Sequence, residues 1–259
     1  MLLVGVLDKV GTFGMIRLCL PLFPDASQWA TPVVLTLAVI GILYGALLAI
    51  GQTDMKRLIA YTSISHFGFI VLGIFAMTSQ GQSGATLYMV NHGFSTAALF
   101  LIAGFLISRR GSGLIADFGG VQRVAPMLAG TFLVAGLSSL ALPGLSSFVS
   151  EFLVLVGTYS RYEVAAVVAT GGIILASLYI LLMYQRTMTG EPTEHTSRMR
   201  DLTTREAWVV VPLVAVIIAL GFFPQPLLEV INPAVDATME QVGVSDPAPK
   251  VPAAGGGAR

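Results

Sequence analysis

Long apolar runs separated by short polar connections dominate the chain. Most of the runs approach or exceed the about 20 residues that an α-helix needs to cross the hydrocarbon core of a bilayer. The connections are rich in Gly, Pro and polar residues, which is typical of turns. The pattern predicts an all-α, polytopic bundle of transmembrane helices. We place its seven spans at residues 2–20, 32–51, 57–78, 84–108, 126–160, 163–188 and 206–223.

The fifth run, residues 126–160, is too long for one straight helix. At about 1.5 Å per residue it would extend beyond the bilayer and its headgroups. Pro143 removes a backbone donor and Gly144 frees the backbone, so we expect a discontinuous helix that is broken near Pro143-Gly144. A plain proline kink is the alternative interpretation. The neighbouring serines and Glu151 favour a break that lines a polar cavity.

The composition of the chain changes after the last run. The segment from residue 230 onward ends in DPAPKVPAAGGGAR and is poor in large apolar residues. A segment of this kind buries too little apolar surface to fold. We therefore expect a membrane domain over residues 1–229 and a disordered tail over residues 230–259.

The overall composition is that of a membrane protein. The chain is 55% hydrophobic and 11% charged, with a mean hydropathy of +0.82, which is too apolar for a soluble domain of this length. Its formal net charge is zero, so nothing indicates nucleic acid as a partner. Cys19 is its only cysteine, which excludes a disulfide within the chain.

The basic residues of the connections lie mostly on one side of the predicted spans. By the positive-inside rule, that side faces the cytoplasm. We therefore expect a multi-pass protein of the cell inner membrane whose C-terminus lies outside. The residues concerned are Lys56, Arg57, Arg109, Arg110, Arg123, Arg186, Arg198, Arg200 and Arg205.

Four ionisable residues fall near the middle of four different spans: Lys9, His66, His92 and Glu151. A charge at the bilayer centre costs at least about 2.5–3.5 kcal/mol on insertion scales, so such residues normally face the interior of a bundle and mark an ion pathway. Side chains of these types exchange protons, and histidine does so near neutral pH. We predict a line of proton-exchanging groups in the membrane plane. The alternatives are structural: Lys9 could pair locally with Asp8 or reach the interface from a tilted helix, and either histidine could satisfy a helix contact.

Helical spacing predicts the polar neighbours of these groups, because residues three or four positions apart share one face of a helix. The neighbours predicted in this way are Tyr88, Ser95 and Thr96 for His92, Thr62 and Ser63 for His66, and Ser147 for Glu151. Asn91 is adjacent to His92 in the sequence and is noted as a further polar neighbour.

Three further charged residues lie beside the ionisable residues or at the ends of the spans. Asp8 points about 100° away from Lys9 on a helix, so we expect it to be a poor direct partner. Lys56 begins the third span and is interpreted as an interfacial anchor, with Asp54 as a supporting partner.

The sequence lacks the motifs of several enzyme classes. It contains no Gly-rich phosphate loop, no metal-ligand spacing and no nucleophile constellation, and His195 lies in a polar segment without ligand companions. We therefore expect no nicotinamide, flavin, quinone, iron–sulfur or metal site in this chain.

Three stretches together resemble a known family: LYGALLAIGQTDMKRLIAYTSISHFGFIVLGI at 43–74, MVNHGFSTAALFLIAGFL at 89–106 and LALPGLSSFVSEFLVLVG at 140–157. In order and spacing they are similar to the antiporter-like membrane subunits of respiratory complex I, the proton-pumping NADH:quinone oxidoreductase. LDKVGTFGMIRLCLPLFP at 7–24 and LGFFPQPLLE at 220–229 extend the resemblance to about residue 230. The stretch TDMKRLIAY is its most specific mark.

Within that family the chain resembles the M-type subunit. The M-type carries glutamate in its second broken helix, as at Glu151, and Ser-His before Gly-Phe, as at Ser65-His66. The resemblance implies that Lys9 connects two half-channels, that His92 lies on the central axis and that Glu151 ends the second half-channel. It also implies that the chain corresponds to the C-terminal half of the family fold and holds only the second half-channel.

The resemblance implies a subunit of a translocase, which couples electron transfer in other subunits to proton pumping. NADH, FMN, iron–sulfur clusters and quinone are then expected in the partner subunits, and L- and N-type membrane subunits are the expected neighbours. An Mrp-type cation/proton antiporter subunit, built on the same fold, is the alternative function. A membrane subunit that is structural and does not pump is a third.

Overall fold

The computed structural model describes residues 3–248, which fold into helices joined by short connections. The π-helical segment Leu3–Leu7 precedes the first α-helix, and a second one, Met15–Cys19, joins the first α-helix to the second. Together they form one rod over residues 3–22. The α-helices are α1 (Lys9–Gly14), α2 (Leu20–Leu22), α3 (Pro24–Ile50), α4 (Met55–Phe75), α5 (Ser79–Arg110), α6 (Val121–Val124), α7 (Pro126–Ser139), α8 (Ser146–Arg161), α9 (Glu163–Met188), α10 (Thr204–Phe222) and α11 (Gln225–Val242).

The helices match the predicted spans. Within the described residues, α3, α4, α5, α9 and α10 are long and apolar enough to cross a membrane. The rod of residues 3–22 corresponds to the first predicted span, and α7 and α8 together correspond to the fifth. The prediction of a polytopic helical membrane bundle is confirmed.

The predicted break in the fifth span is confirmed. α7 ends at Ser139 and α8 begins at Ser146, so Pro143 lies in a non-helical joint. In that joint Ala141 has φ 58° and Gly144 has φ 91°. This left-handed backbone interrupts an α-helix, and glycine adopts it without steric cost.

Three contacts hold the joint in place. The hydroxyls of Ser138 and Ser146 lie 3.3 Å apart across it, and Asn91 Nδ2 donates to the main-chain oxygen of Ser146 over 2.6 Å. α10 packs directly against it, since a Cβ built on Gly221 would lie 2.2 Å from the oxygen of Gly144. Two neighbouring helices, α5 and α10, therefore contact the joint and hold it in place.

Glycines bring α5 and α8 into backbone contact. A Cβ built on Gly84 would lie 2.7 Å from the nitrogen of Val154 and 2.9 Å from the oxygen of Ser150. A Cβ on Gly157 would lie 2.3 Å from the nitrogen of Gly81. Small residues at a crossing let membrane helices approach this closely. The contact sets the distance between two of the helices that carry the predicted ionisable residues.

The prediction of a disordered tail from residue 230 is wrong over residues 230–242, which continue helix α11. Its buried residues Ile231, Val235 and Met239 recur every four positions and pack against Leu87. Ser83 also donates to Asn232 over 2.9 Å. This apolar stripe supplies the burial that composition alone did not reveal. Residues 249–259 of the predicted tail lie outside the described range.

Arg109 links the connection between α9 and α10 to the rest of the bundle. From the sequence it was predicted only to mark the cytoplasmic side. Its guanidinium donates to both carboxylate oxygens of Glu206, over 2.8 and 2.5 Å. It also donates to the main-chain oxygens of Arg200 and Asp201. The carboxylate of Asp201 in turn accepts from two backbone nitrogens at the start of α7.

We expect Arg109→Ala to destabilise the protein by about 2 kcal/mol, the usual contribution of hydrogen bonds to a charged group. The matched control is Arg123→Ala, whose partner Glu191 lies 2.6 Å away but whose pair is 54% and 79% exposed. An exposed pair of this kind contributes at most about 0.5–1 kcal/mol. Thermal unfolding in detergent should separate the two variants, and equal losses would contradict the role given to Arg109.

Candidate functional site

The structure brings the four predicted ionisable residues together inside the bundle. Lys9 lies on α1, His66 on α4, His92 on α5 and Glu151 on α8. The last three are 2%, 0% and 4% exposed, and the Lys9 side chain is 12% exposed. They therefore face one another and not the surface, as the prediction of an interior line requires.

Lys9 begins this line with three short contacts from its ammonium nitrogen. Nζ donates to the main-chain oxygen of Val4 over 2.7 Å, lies 2.7 Å from Nδ1 of His92 and forms an ion pair with Asp8 Oδ1 at 2.8 Å. The expectation that Asp8 is a poor partner is wrong. The prediction considered only the rotation of about 100° between successive residues on a helix. It neglected the length of the lysine side chain, which lets Nζ fold back to the preceding residue.

His92 is the branching point of the line. Its second nitrogen, Nε2, lies 3.0 Å from the hydroxyl of Ser63. Its ring meets the ring of His66 edge-on, with centroids 5.2 Å apart, and the ring of Phe67 at 5.5 Å. Both of its nitrogens are therefore occupied by polar partners, although the residue is completely buried.

Two tyrosines lie beside His66, and one of them also reaches Glu151. The hydroxyl of Tyr179, on α9, lies 3.4 Å from Nε2 of His66. The hydroxyl of Tyr88 donates to Glu151 Oε2 over 3.3 Å, and its ring centroid lies 6.0 Å from that of His66. Since Tyr88 contacts the histidine and the carboxylate, it bridges the middle of the line to its end.

The broken helix adds polar groups beside Glu151. Asn91 donates to Ser150 Oγ over 3.2 Å as well as to the joint. Asn91 Oδ1, Ser139 Oγ and Ser147 Oγ are buried and have no protein hydrogen-bond partner within the described residues. Buried groups of this kind are normally satisfied by ordered water, so this end of the line suits water-mediated proton exchange.

The polar neighbours inferred from helical spacing are largely incorrect. The hydroxyl of Thr62 donates to the main-chain oxygen of Ile59 on the same helix. Ser63 contacts His92 instead of His66. Ser147 makes no hydrogen bond to Glu151 in the described structure. Tyr88 does lie near His92, with ring centroids 6.4 Å apart, but its hydroxyl is directed to the carboxylate.

Asp54 and Lys56 lie outside this cluster. Asp54 caps the start of α4 by accepting from the nitrogen of Arg57 over 3.0 Å. Lys56 is exposed in the next turn. Both are at the end of α4, whereas His66 is more than two turns further along. The supporting role suggested for them is not reflected in any contact with the buried line.

Two residues of the site, Tyr179 and Asn91, were not among the predicted site residues. Tyr179 lies in the apolar run of α9 and carries no local polar pattern, so nothing in the sequence marks it. Asn91 is adjacent to His92 and was noted only as a neighbour, yet it contacts both the joint and Ser150. A buried amide in an apolar span is a signal that could have identified it.

The arrangement can exchange protons in steps across the bundle. In order, its titratable side chains are Lys9, His92, His66, Tyr88 and Glu151. Adjacent members are in hydrogen-bond contact or have ring centroids about 5–6 Å apart, which is ring-to-ring contact. Among the described residues, no group of three or more His, Cys, Asp or Glu is placed to hold a metal.

Comparison with known proteins adds independent evidence. A sequence model of the family described as "NADH:quinone oxidoreductase/Mrp antiporter, TM" matches residues 1–177. A protein named NADH-quinone oxidoreductase subunit M from Mycobacterium tuberculosis (strain ATCC 25618 / H37Rv) is 61% identical over 250 residues, which cover 96% of this chain and 45% of that protein. The protein of that name from Rickettsia prowazekii (strain Madrid E) is 43% identical, over 91% of this chain and 48% of its own. The chain thus spans about half the length of these curated relatives.

Solved structures share the fold. A chain of respiratory complex I from Thermus thermophilus with bound NADH superimposes with a TM-score of 0.87 at 34% identity, covering 92% of this chain and 50% of that one. A chain of the Mrp complex from Dietzia sp. DQ12-45-1b gives a TM-score of 0.81 at 22% identity, covering 90% and 53%. The second likeness concerns the fold alone.

Proposed function

The chain belongs to the family of NADH:quinone oxidoreductase and Mrp antiporter membrane subunits, and from this premise we propose that it translocates protons as part of the M-type membrane subunit of an NADH:quinone oxidoreductase. The 61% identity to a protein named subunit M supports this choice within the family. Electron transfer would take place in partner subunits, which would hold the NADH, FMN, iron–sulfur and quinone sites. The chain itself would move protons.

The observation that carries this proposal is the continuous buried line from Lys9 to Glu151. Placing ionisable side chains at membrane depth is costly, and the cost is tolerated where they face one another in a bundle interior and conduct ions. Five helices, α1, α4, α5, α8 and α9, contribute to this line through the contacts of Lys9, His92, His66, Tyr179 and Glu151. A merely structural subunit has no need of such a line.

In the proposed mechanism, a proton passes between Lys9 and His92 across their 2.7 Å contact. It continues by way of His66 and Tyr88 toward Glu151. Glu151 lies one turn inside the start of α8, next to the joint, and would serve as the terminal group of the second half-channel. Asp8 holds the Lys9 ammonium in place at the opposite end of the line.

The proposed location is the cell inner membrane, with the C-terminus outside. The contacts support this sidedness, because connections that carry the predicted basic residues meet at one end of the bundle. Arg109, at the end of α5, contacts the connection before α10, and Asp54 pairs with Leu114 at the same end. At the other end, Asp246 accepts from the nitrogen of Ser79. The basic end would face the cytoplasm.

We expect L- and N-type membrane subunits to be the neighbours in the complex. Large apolar side chains are exposed on α3 and α9, including Leu37, Leu47, Val167 and Ile174. Surfaces of this composition suit lipid or other membrane helices and not water. The proposal requires no nucleic acid and no cofactor in this chain.

The test uses inverted membrane vesicles from the source bacterium, with and without the gene that encodes this chain. We expect deletion to remove NADH-driven acidification of the vesicle interior, and the restored gene to recover it. Sodium-driven proton exchange is measured in the same vesicles. Loss of that exchange, with NADH-driven acidification intact, would instead identify an Mrp-type antiporter subunit. Retention of both activities would leave a structural role.

A further inference from the structure

His92 has two ring nitrogens, and the structure gives each a different partner. Nδ1 lies 2.7 Å from Lys9 Nζ, and Nε2 lies 3.0 Å from Ser63 Oγ. His92 and Ser63 are 0% and 4% exposed, so bulk water does not compete for either nitrogen. The hydrogen bond made by one nitrogen of a histidine decides what the other nitrogen can do.

The contacts of Lys9 determine which nitrogen of His92 carries the proton. An ammonium group has three N–H donors and no acceptor. The Lys9 ammonium donates to the oxygen of Val4, forms an ion pair with the carboxylate of Asp8 and lies 2.7 Å from Nδ1 of His92. Nδ1 must then accept. A neutral His92 therefore carries its hydrogen on Nε2 and donates it to Ser63 Oγ.

We propose that Ser63 is a positioning residue for proton transfer between Lys9 and His92. By accepting the Nε2 hydrogen, its hydroxyl holds the imidazole in the tautomer and orientation that direct the free lone pair of Nδ1 at Lys9. This inference rests on the proposed function and adds Ser63 to it. Helical spacing had predicted Ser63 to be a neighbour of His66 and not of His92.

The transfer step shows why the hydroxyl matters. When Lys9 releases its proton, the Nζ–H bond breaks and an Nδ1–H bond forms, so the positive charge moves from the ammonium to the imidazole. The Nε2–H bond is kept throughout, and Ser63 Oγ accepts from it in both states. The hydrogen bond strengthens as the imidazolium forms, because its donor becomes charged. Ser63 thus favours the protonated ring without leaving its place.

Among the described residues, the neighbouring hydroxyls of α4 make their hydrogen bonds elsewhere and not to the His92 ring. Thr62 donates to the main-chain oxygen of Ile59 over 2.8 Å, and Ser65 donates to the main-chain oxygen of Ile42 over 2.9 Å. The rings of Phe67, His66 and Tyr88 also lie beside His92. Within the described residues none of them is hydrogen-bonded to Nε2, because His66 contacts Tyr179 and Tyr88 donates to Glu151. Removal of the Ser63 hydroxyl would leave Nε2 without its partner and free the ring to adopt the other tautomer.

The experiment places Ser63→Ala, Ser63→Cys and Ser63→Thr in the assembled membrane complex and measures NADH-driven proton uptake against NADH oxidation. We expect Ser63→Ala and Ser63→Cys to lower proton uptake by about tenfold or more, a modest share of what positioned acid–base groups contribute. Ser63→Thr keeps the hydroxyl and should recover most of the rate. Ser65→Ala is the matched control, since it removes a buried hydroxyl two positions away that bonds only to main chain, and its uptake should stay near that of the unmodified complex.

Each result bears on the inference. Full uptake in Ser63→Ala would overturn it, and so would equal losses in Ser63→Thr and Ser63→Ala, or in Ser65→Ala and Ser63→Ala. Failure of the Ala and Cys variants to assemble would show a packing role and would also overturn it. Lys9→Ala, measured in parallel, separates the two proposals. If it abolishes uptake while Ser63→Ala does not, only the role of Ser63 is lost; if it has no effect, the proposed function fails as well.

Discussion

Replacing Glu151 with glutamine is expected to lower NADH-driven proton uptake by at least about tenfold, a small share of the roughly 10²–10⁴-fold that a positioned acid–base group contributes. Glutamine has nearly the same volume and can still accept the hydrogen bond that Tyr88 donates over 3.3 Å. It cannot take up or release a proton. The substitution therefore removes the proposed terminal group of the line and leaves the packing of α8 unchanged.

The measurement is the initial rate of interior acidification in inverted vesicles, divided by the amount of assembled complex. Lys56→Gln is the matched control, because it also removes one charge but at an exposed position at the end of α4. We expect it to change the rate little. Unchanged uptake in Glu151→Gln would remove Glu151 from the pathway and favour a structural subunit. Similar losses in both variants would point to a general effect of charge on assembly.

Replacing Gly84 with alanine is expected to destabilise the fold by forcing α5 and α8 apart. A Cβ there would lie 2.7 Å from the nitrogen of Val154 and 2.9 Å from the oxygen of Ser150, both on the backbone of α8. Neither atom can move without a shift of the whole helix. Overpacking usually costs about 1–3 kcal/mol, and contact with two backbone atoms of α8 places this case at the upper end. We also expect proton uptake to fall, because moving α8 away from α5 lengthens the Tyr88–Glu151 contact.

Gly104→Ala is the matched control for this prediction. Gly104 lies on the same helix, α5, and a Cβ built on it meets no heavy atom within 4 Å. Alanine there should be neutral or stabilise the helix by up to about 1 kcal/mol, the difference in helix propensity. Thermal unfolding and proton uptake are compared for both variants. If Gly84→Ala is as stable and as active as Gly104→Ala, the close α5–α8 contact does not control the geometry of the site.

Much of the fold could be predicted from the sequence because span length is a local property. A run of apolar residues that is long enough to cross the bilayer forms a helix whatever its neighbours are, since its backbone groups must bond within the segment. The break near Pro143-Gly144 was also predictable, because proline and glycine act on the backbone where they stand. Helix α11 was missed, since its apolar stripe of Ile231, Val235 and Met239 is short and folds only against Leu87.

The members of the site could be predicted, but most of their partners could not. Depth follows from counting residues along each span, which brought out Lys9, His66, His92 and Glu151. Partners depend on which helix faces meet. Ser63 shares a helix with His66 but reaches His92 on α5, and Tyr179 comes from an apolar run on α9 with no distinguishing pattern.

The sequence by itself determined that this is a bundle of membrane helices with four titratable residues at one depth and one interrupted helix. Apolar length, proline chemistry and position along a span are all encoded locally. Only the tertiary structure decided that Lys9 meets His92, that Tyr88 bridges to Glu151 and that Asn91 holds the broken joint. The physical reason is that these contacts depend on the rotation and separation of whole helices, which backbone approaches at residues such as Gly84 and Gly221 set between segments far apart in the chain.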